Sequence, residues 1–189
     1  GGVLPDIFLN KPKVCCISDI HVGVHQNSTQ WHNIILEWSK WLAGELHKKD
    51  IKDIIISGDF FHYRDEIAVN TIHIVTQILN IWKDFNIVLL VGNHDAYYKD
   101  NSNVHSLSIL NNRANITIFD KPIVLTLFDK KVGFCPWGTS LKDIPKCDLL
   151  IGHFEIQNFN FNSFKICDAG IESCDLLLKL QYQYINKLL

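Results

Sequence analysis

Four apolar runs in this chain end on the same kind of polar punctuation, and that repetition constrains the fold more than any bulk property. "KVCCISDIH" runs into Asp19 and His21, and "DIIISGDFFH" into Asp59 and His62. "NIVLLVGNHD" runs into Asn93, His94 and Asp95, and "CDLLIGHFE" into His153. In three cases a glycine (Gly58, Gly92 or Gly152) stands just before the polar residue and permits a tight turn. Short, near-continuous apolar runs mark strands covered on both faces. In open α/β sheets the carboxyl ends of such strands share one edge, where ligands bind. The four polar clusters, remote in sequence, are therefore expected to converge.

Period and length place strands at about 13–18, 52–57, 87–91, 115–119, 123–128, 131–135 and 148–152. Two helical stretches separate the first three. In one, Trp31, Ile34, Ile35, Trp38, Trp41 and Leu42 recur at helical spacing, with Glu37, Lys40 and Glu45 on the other side. In the other, over 67–85, Ile74, Ile78, Ile81 and Trp82 recur in the same way. Strand, helix, strand, helix, strand describes an α/β unit. The strand-rich stretch 115–134, with a hairpin turn at Asp129, Lys130 and Lys131, favours a mixed sheet or two packed sheets with outer helices over a purely parallel one.

Carboxylate, amide oxygen and imidazole together suit borderline divalent ions such as Mn²⁺, Fe²⁺ or Zn²⁺. No CxxC pair is present, which argues against a thiolate zinc site. Two such ions bridged by a carboxylate can clamp a phosphate and activate a water. Taken singly, Asp-x-His is most simply a turn, and Gly-Asp after a strand a turn or helix cap. Asn and His side by side after a buried strand have less structural reason to be there. The joint pattern carries the metal-site reading.

Bulk properties exclude some classes. With 189 residues, 47% hydrophobic content and 20% charge, the chain suits a globular domain with a sizeable core, not a disordered one. A net charge of −2 gives no basic field to attract nucleic acid, although bound cations could supply charge locally. The apolar runs are too short to span a bilayer, and no signal-peptide pattern opens the chain. Six cysteines without disulfide-like spacing indicate a reducing, intracellular compartment. No methionine occurs, so the natural start is expected to be processed, tagged or missing.

Asp19-x-His21, Gly58-Asp59, Gly92-Asn93-His94-Asp95 and Gly152-His153 together resemble the calcineurin-like metallophosphoesterase signature, over about 13–178. "GDFFH" and "GNHD" are more similar to DNA-repair nucleases of the SbcD type than to the protein phosphatases, which show Asp-Arg-Gly after the Gly-Asp motif and GNHE in place of GNHD. "DKPIVLTLFDKKVGFCPWG" followed by "IGHFEIQNF" resembles the nuclease subunit of phage recombination complexes. The resemblance implies a β-sandwich of mixed sheets flanked by helices, and a two-ion centre for which Mn²⁺ is the first choice, with Fe²⁺, Zn²⁺ or Mg²⁺ as alternatives. Asp19 and His21 would hold the first ion, Asp59 would bridge, and Asn93 and His153 would hold the second. His94, beside Asp95, would act as general acid or stabilise phosphoryl charge. His62 would help place the phosphodiester. Tyr63 and Arg64 would meet a DNA backbone or stack a base, or else be solvated surface groups, and Tyr97, Tyr98 and Lys99 share that ambiguity. His25, His32, His47, His73 and His105 are expected to be surface or packing residues.

The resemblance also implies DNA as substrate (double-strand ends or single strands), an SMC-like ATPase partner and a possible homodimer through helices at about 104–111 or from Ile67. It further implies a later Gly-His-x-His motif, yet no histidine follows His153. The sequence thus divides into an extension over 1–12, an incomplete nuclease domain over 13–178 truncated before its closing strands, and an atypical tail over 179–189. A fragment, a frameshift or a short variant would each give this ending, and weak or absent nuclease activity is expected from it. Two other functions compete: a phosphoesterase acting on nucleotides or phosphoproteins, and a catalytically dead module that docks an ATPase.

Overall fold

The computed structural model describes residues 13–97, 102–127, 129–154, 160–162 and 165–166. Strands β1 (Cys15–Ile17), β2 (Asp53–Ile56), β3 (Asn86–Leu90) and β4 (Ile116–Phe119) form one sheet in sequential order, every pair parallel. Strands β5 (Ile123–Leu127), β6 (Lys130–Cys135) and β7 (Leu149–Gly152) form a second. Its β5–β6 pair is antiparallel, turning through Asp129 at φ 64°, and its β6–β7 pair is parallel. The expected mixture is thus split between a parallel sheet and a mixed one. A short antiparallel pair, β8 (Asn160–Asn162) with β9 (Lys165–Ile166), follows.

Helices α1 (Thr29–Lys48) and α2 (Val69–Ile81) supply the crossovers between β1, β2 and β3. The alternation of side chains along β2 and β3 shows how the layers stack. Ile54, Ile56, Ile87, Leu89 and Val91 join the core with Ile35, Leu42, Leu46, Ile74 and Ile78 of the helices. Ile55, Val88 and Leu90 face the opposite way and pack with Leu125, Val132 and Phe134 of the second sheet. The central strands are therefore covered on one face by helices and on the other by a sheet, which is why their sequences read as unbroken apolar runs. Trp82, fully buried, ties the helices together: its indole N–H donates to the Ser39 carbonyl of α1 at 3.1 Å.

Several expectations are corrected. Trp31, Ile34 and Trp41 lie on the apolar stripe of α1 but are 40%, 48% and 60% exposed, because the buried face is carried by His32, Ile35, Ser39, Leu42, Ala43 and Leu46. The helix expected over 104–111 is a short 3₁₀ segment, Ser106–Leu110. Tyr98, Lys99 and the tail over 179–189 lie outside the described residues. Among the described residues no helix is long and apolar enough to cross a membrane.

Candidate metal centre

Beyond their last paired residues, β1 and β2 stay zipped together by backbone bonds. The Asp19 N–H donates to Gly58 O at 3.1 Å, His21 N–H to Asp59 O at 3.0 Å, and Val22 N–H to Phe60 O at 2.8 Å. The loops carrying Asp19, His21 and Asp59 are thus one continuous backbone structure. All three residues adopt left-handed backbone angles, at φ 58°, 51° and 54°. Such angles cost an L-residue about 1–2 kcal/mol each and concentrate at functional sites.

The loop after β3 is drawn in by Gly92. A Cβ there would lie 2.2 Å from Asp59 N and 2.3 Å from Asp59 Oδ1, so only glycine lets the two loops approach this closely. The approach lets the His94 N–H donate to Asp59 Oδ1 at 2.8 Å. The second sheet delivers the last residue, with the His153 N–H donating to Cys135 O at 3.0 Å. Trp137, in the Pro-Trp turn after β6, donates its N–H to Val91 O and sets its ring edge-to-face against His153 with centroids 6.2 Å apart.

The side chains meet around Asp59 Oδ2. His21 Nε2 lies 3.7 Å from it and 3.5 Å from Asp19 Oδ1. On the other side His153 Nε2 lies 3.4 Å from Asp59 Oδ2 and 2.9 Å from Asn93 Oδ1. Ligand atoms of Asp19, His21 and Asp59 all lie within 4.8 Å of one another, as do those of His21, His62 and His94. The Asp19 carboxylate also accepts from the Ser18 hydroxyl.

Donor chemistry tests whether cations fit. His153 Nδ1 faces the Ser57 carbonyl at 3.3 Å and donates to it. A neutral ring then turns the Nε2 lone pair toward Asn93 Oδ1 and Asp59 Oδ2, bringing three acceptors together. Either an added proton or a cation resolves that arrangement. Burial opposes a second proton on His153, but Asp59, Asp19 and the Ser57 carbonyl outweigh it and raise the pKa. Burial likewise disfavours the Asp59 charge, yet His153, the His94 amide and the His94 ring hold its carboxyl below the usual range. The Asp59 carboxylate and His153 ring thus favour a positive charge between them, and these oxygen and imidazole donors suit a divalent ion.

Three imidazoles flank the same carboxylate. The His94 ring stacks on His62 at 5.3 Å and meets His21 edge-on at 4.8 Å. His94 Nδ1 donates to the His62 carbonyl at 2.7 Å, which fixes its tautomer and frees Nε2. The Nδ1 atoms of His62 and His21 lie 3.2 Å apart. Burial lowers the pKa of both rings; neighbouring imidazoles add to the drop and Asp59 partly offsets it.

Two residues expected at the site have other work. Asp95, fully buried, accepts backbone N–H groups of Phe61 (2.8 Å), Gly92 (2.9 Å) and Phe60 (3.3 Å), fastening the β2 and β3 loops together. Burial pushes its pKa up to about 7 against the pull of those amides, with Asp59 adding to the rise. Its contacts are those of a positioning residue, not of a group open to substrate. Tyr63 turns its hydroxyl to the Gln26 N–H at 3.0 Å and its ring edge against His62. Arg64 is half-buried in the bend that follows. Sequence reasoning missed the Ser57 carbonyl, which no residue type could signal, and Trp137, for which the Pro-Trp turn was the available clue.

A family model described as calcineurin-like phosphoesterase matches residues 12–173. Among solved structures, the crystal structure of Pseudomonas putida nuclease MPE is similar at 25% identity, over 59% of this chain and 50% of that one, with a TM-score of 0.40. The chain thus spans half the length of that structure. No curated protein matches.

Proposed function

The chain belongs to the calcineurin-like phosphoesterase family, and from that premise we propose that it is a dinuclear metal-dependent phosphodiesterase acting on DNA. The observation that carries the reading is Asp59 Oδ2, which faces two donor sets at once, 3.7 Å from His21 Nε2 and 3.4 Å from His153 Nε2. Asp19, His21 and Asp59 would hold one divalent ion, and Asp59, Asn93 and His153 the other. Ions bound there, Mn²⁺ being our first choice, would supply Lewis acidity toward phosphate oxygens and a water acidified for attack.

The chain's own residues do the rest. The Gly92 approach and the His94 amide hold the Asp59 carboxylate in one orientation. The Ser57 carbonyl does the same for His153, as outer partners of ligating histidines do. His94, with Nδ1 committed to the His62 carbonyl, presents Nε2 to donate a proton to the leaving oxygen or stabilise charge on the phosphoryl group. His62, stacked on His94 and beside His21, positions the diester. Support for DNA as substrate comes from "GDFFH" and "GNHD" and from the place of His62 within this cluster. The same reading carries an SMC-like ATPase as partner.

The test compares duplex DNA ends, single-stranded DNA, an aryl phosphodiester and an aryl phosphomonoester, each with Mn²⁺, for the wild-type chain and Asp59→Asn. Weak cleavage of DNA and diester that Asp59→Asn abolishes is the expected result. Preference for the monoester would refute the DNA reading in favour of a phosphomonoesterase. No Mn²⁺ binding and no hydrolysis would refute the enzyme reading altogether.

A further inference from the structure

The Asp19 and His21 end of the centre opens into a cavity of about 420 Å³, walled on the far side by Trp31, Ile34 and Trp38 of α1. That volume lies within the usual range for small-molecule sites. Trp31 and Ile34 remain 40% and 48% exposed although they belong to the apolar stripe of the helix. Among the described residues, no lysine or arginine lines the cavity. It is therefore unsuited to a second phosphate and suited to a neutral, flat, apolar group attached to whatever sits at Asp19 and His21.

The turn leading into α1 is built to shape this wall. His25, Gln26 and Asn27 adopt left-handed angles in succession, at φ 56°, 59° and 56°. Such angles cost about 1–2 kcal/mol each for L-residues. Cross-links hold the turn: the Tyr63 hydroxyl accepts the Gln26 N–H, the Thr71 hydroxyl donates to Asn27 Oδ1 at 2.7 Å, and the Asn70 amide donates to Asn27 O at 2.9 Å. The result is that the His25 ring stacks on Trp31, with centroids 4.6 Å apart and planes 27° from parallel. An imidazole layered on an indole in the cavity lining is a stacking platform.

We propose that this cavity is a subsite for the nucleobase next to the scissile phosphate, which stacks against Trp31 while the phosphate lies at Asp19, His21 and Asp59. The proposal rests on the phosphodiesterase reading above and adds to it where the substrate is gripped. Because every base has a π-face, the subsite discriminates base from no base and tolerates different bases.

The test uses the full chain with Mn²⁺ and two diesters, thymidine 5′-(p-nitrophenyl phosphate) and methyl p-nitrophenyl phosphate. The ratio of their kcat/KM values is expected to favour the thymidine ester and to fall about ten-fold in Trp31→Leu, at the lower end of what stacking one base contributes. Trp41→Leu, on the same helix and 60% exposed but outside the cavity, should leave the ratio unchanged. In the slow His94→Asn chain, which keeps its Mn²⁺ ions, thymidine 5′-phosphate is expected to quench tryptophan fluorescence, and ribose 5-phosphate is not. That quench should vanish in Trp31→Leu. Hydrolysis of both esters with a ratio that Trp31→Leu does not move, and no base-dependent quench, would overturn the subsite and leave the phosphodiesterase reading standing. Failure to hydrolyse either ester would count against that reading instead.

Discussion

Replacing Gly92 with alanine puts the geometry of the centre under direct strain. The added Cβ would sit 2.2 Å from Asp59 N and 2.3 Å from Asp59 Oδ1. Ordinary carbon contacts begin near 3.5 Å, so the two loops must separate by about 1 Å. Gly92 is not among the positive-φ glycines, so the substitution acts through space alone and not through backbone conformation. Overpacking of this kind costs about 1–3 kcal/mol, and a domain of this size loses about 2–4 °C of Tm per kcal/mol. The larger effect falls on the carboxylate: disturbing the groups that orient a ligand lowers metal affinity by about 10–100-fold. A reacting geometry displaced by about 1 Å loses on the order of 100-fold in rate. Mn²⁺ calorimetry, thermal melting and aryl diester hydrolysis measure the three quantities. Gly44→Ala is the control. Its site lies inside α1 with no described residue outside the helix backbone within 4 Å of an added Cβ, so it should gain about 0.5–1 kcal/mol and keep the metal affinity. Wild-type Mn²⁺ affinity and rate in Gly92→Ala would refute the claim that close loop approach fixes the Asp59 carboxylate.

Three further outcomes are expected. His94→Asn should lower kcat on a phosphodiester by about 10²–10⁴-fold while calorimetry still detects the ions, because His94 is assigned to proton transfer and not to ligation; loss of ion binding instead would reassign it as a ligand. Trp82→Ala should cost about 3–5 kcal/mol in chemical denaturation, since it empties the α1–α2 junction and frees the Ser39 carbonyl. His32 is buried and its pKa is held down by desolvation, and its Nε2 faces the Thr71 hydroxyl at 3.0 Å. That hydroxyl already donates to Asn27, so His32 Nε2 carries a proton toward it, and burial favours the neutral ring. Below an unfolded pKa of about 6.5 the unfolded chain binds the proton first, so the His32 contribution is complete above that pH and declines as pH falls toward the lowered folded value. Melting across pH 7.5 to 5.5 should show a smaller decline for His32→Gln than for wild type, and equal slopes would contradict the assignment.

Much of the fold is legible in the sequence because strands buried on both faces leave a coarse signal. The runs at 52–57 and 87–91 correspond to Asp53–Ile56 and Asn86–Leu90, and the hairpin at Asp129 joins β5 to β6. The convergence of Asp19, His21, Asp59, Asn93, His94 and His153 is legible for a related reason: each follows a strand whose end is fixed by a neighbouring strand. What the sequence conceals depends on direction and contact. Periodicity puts Trp31, Ile34 and Trp41 on an apolar stripe but does not say how wide a stripe α2 and the sheet can cover, and these three are left exposed. Composition makes Asp95 and Tyr63 equally good site residues, and only the fold reveals the amide donors that claim one and the turn that claims the other. The left-handed run at His25, Gln26 and Asn27 carries no glycine to announce it.

The central claim is that Asp59 is shared by two donor sets, and Mn²⁺ binding tests it most directly. Calorimetric titration of the full chain, with electron paramagnetic resonance on the loaded protein, should find two ions per chain whose spins are coupled through a common ligand. Asp59→Asn should lose that coupling and weaken both sites together. A single uncoupled ion in the wild-type chain, or two ions that Asp59→Asn leaves unchanged, would contradict the account.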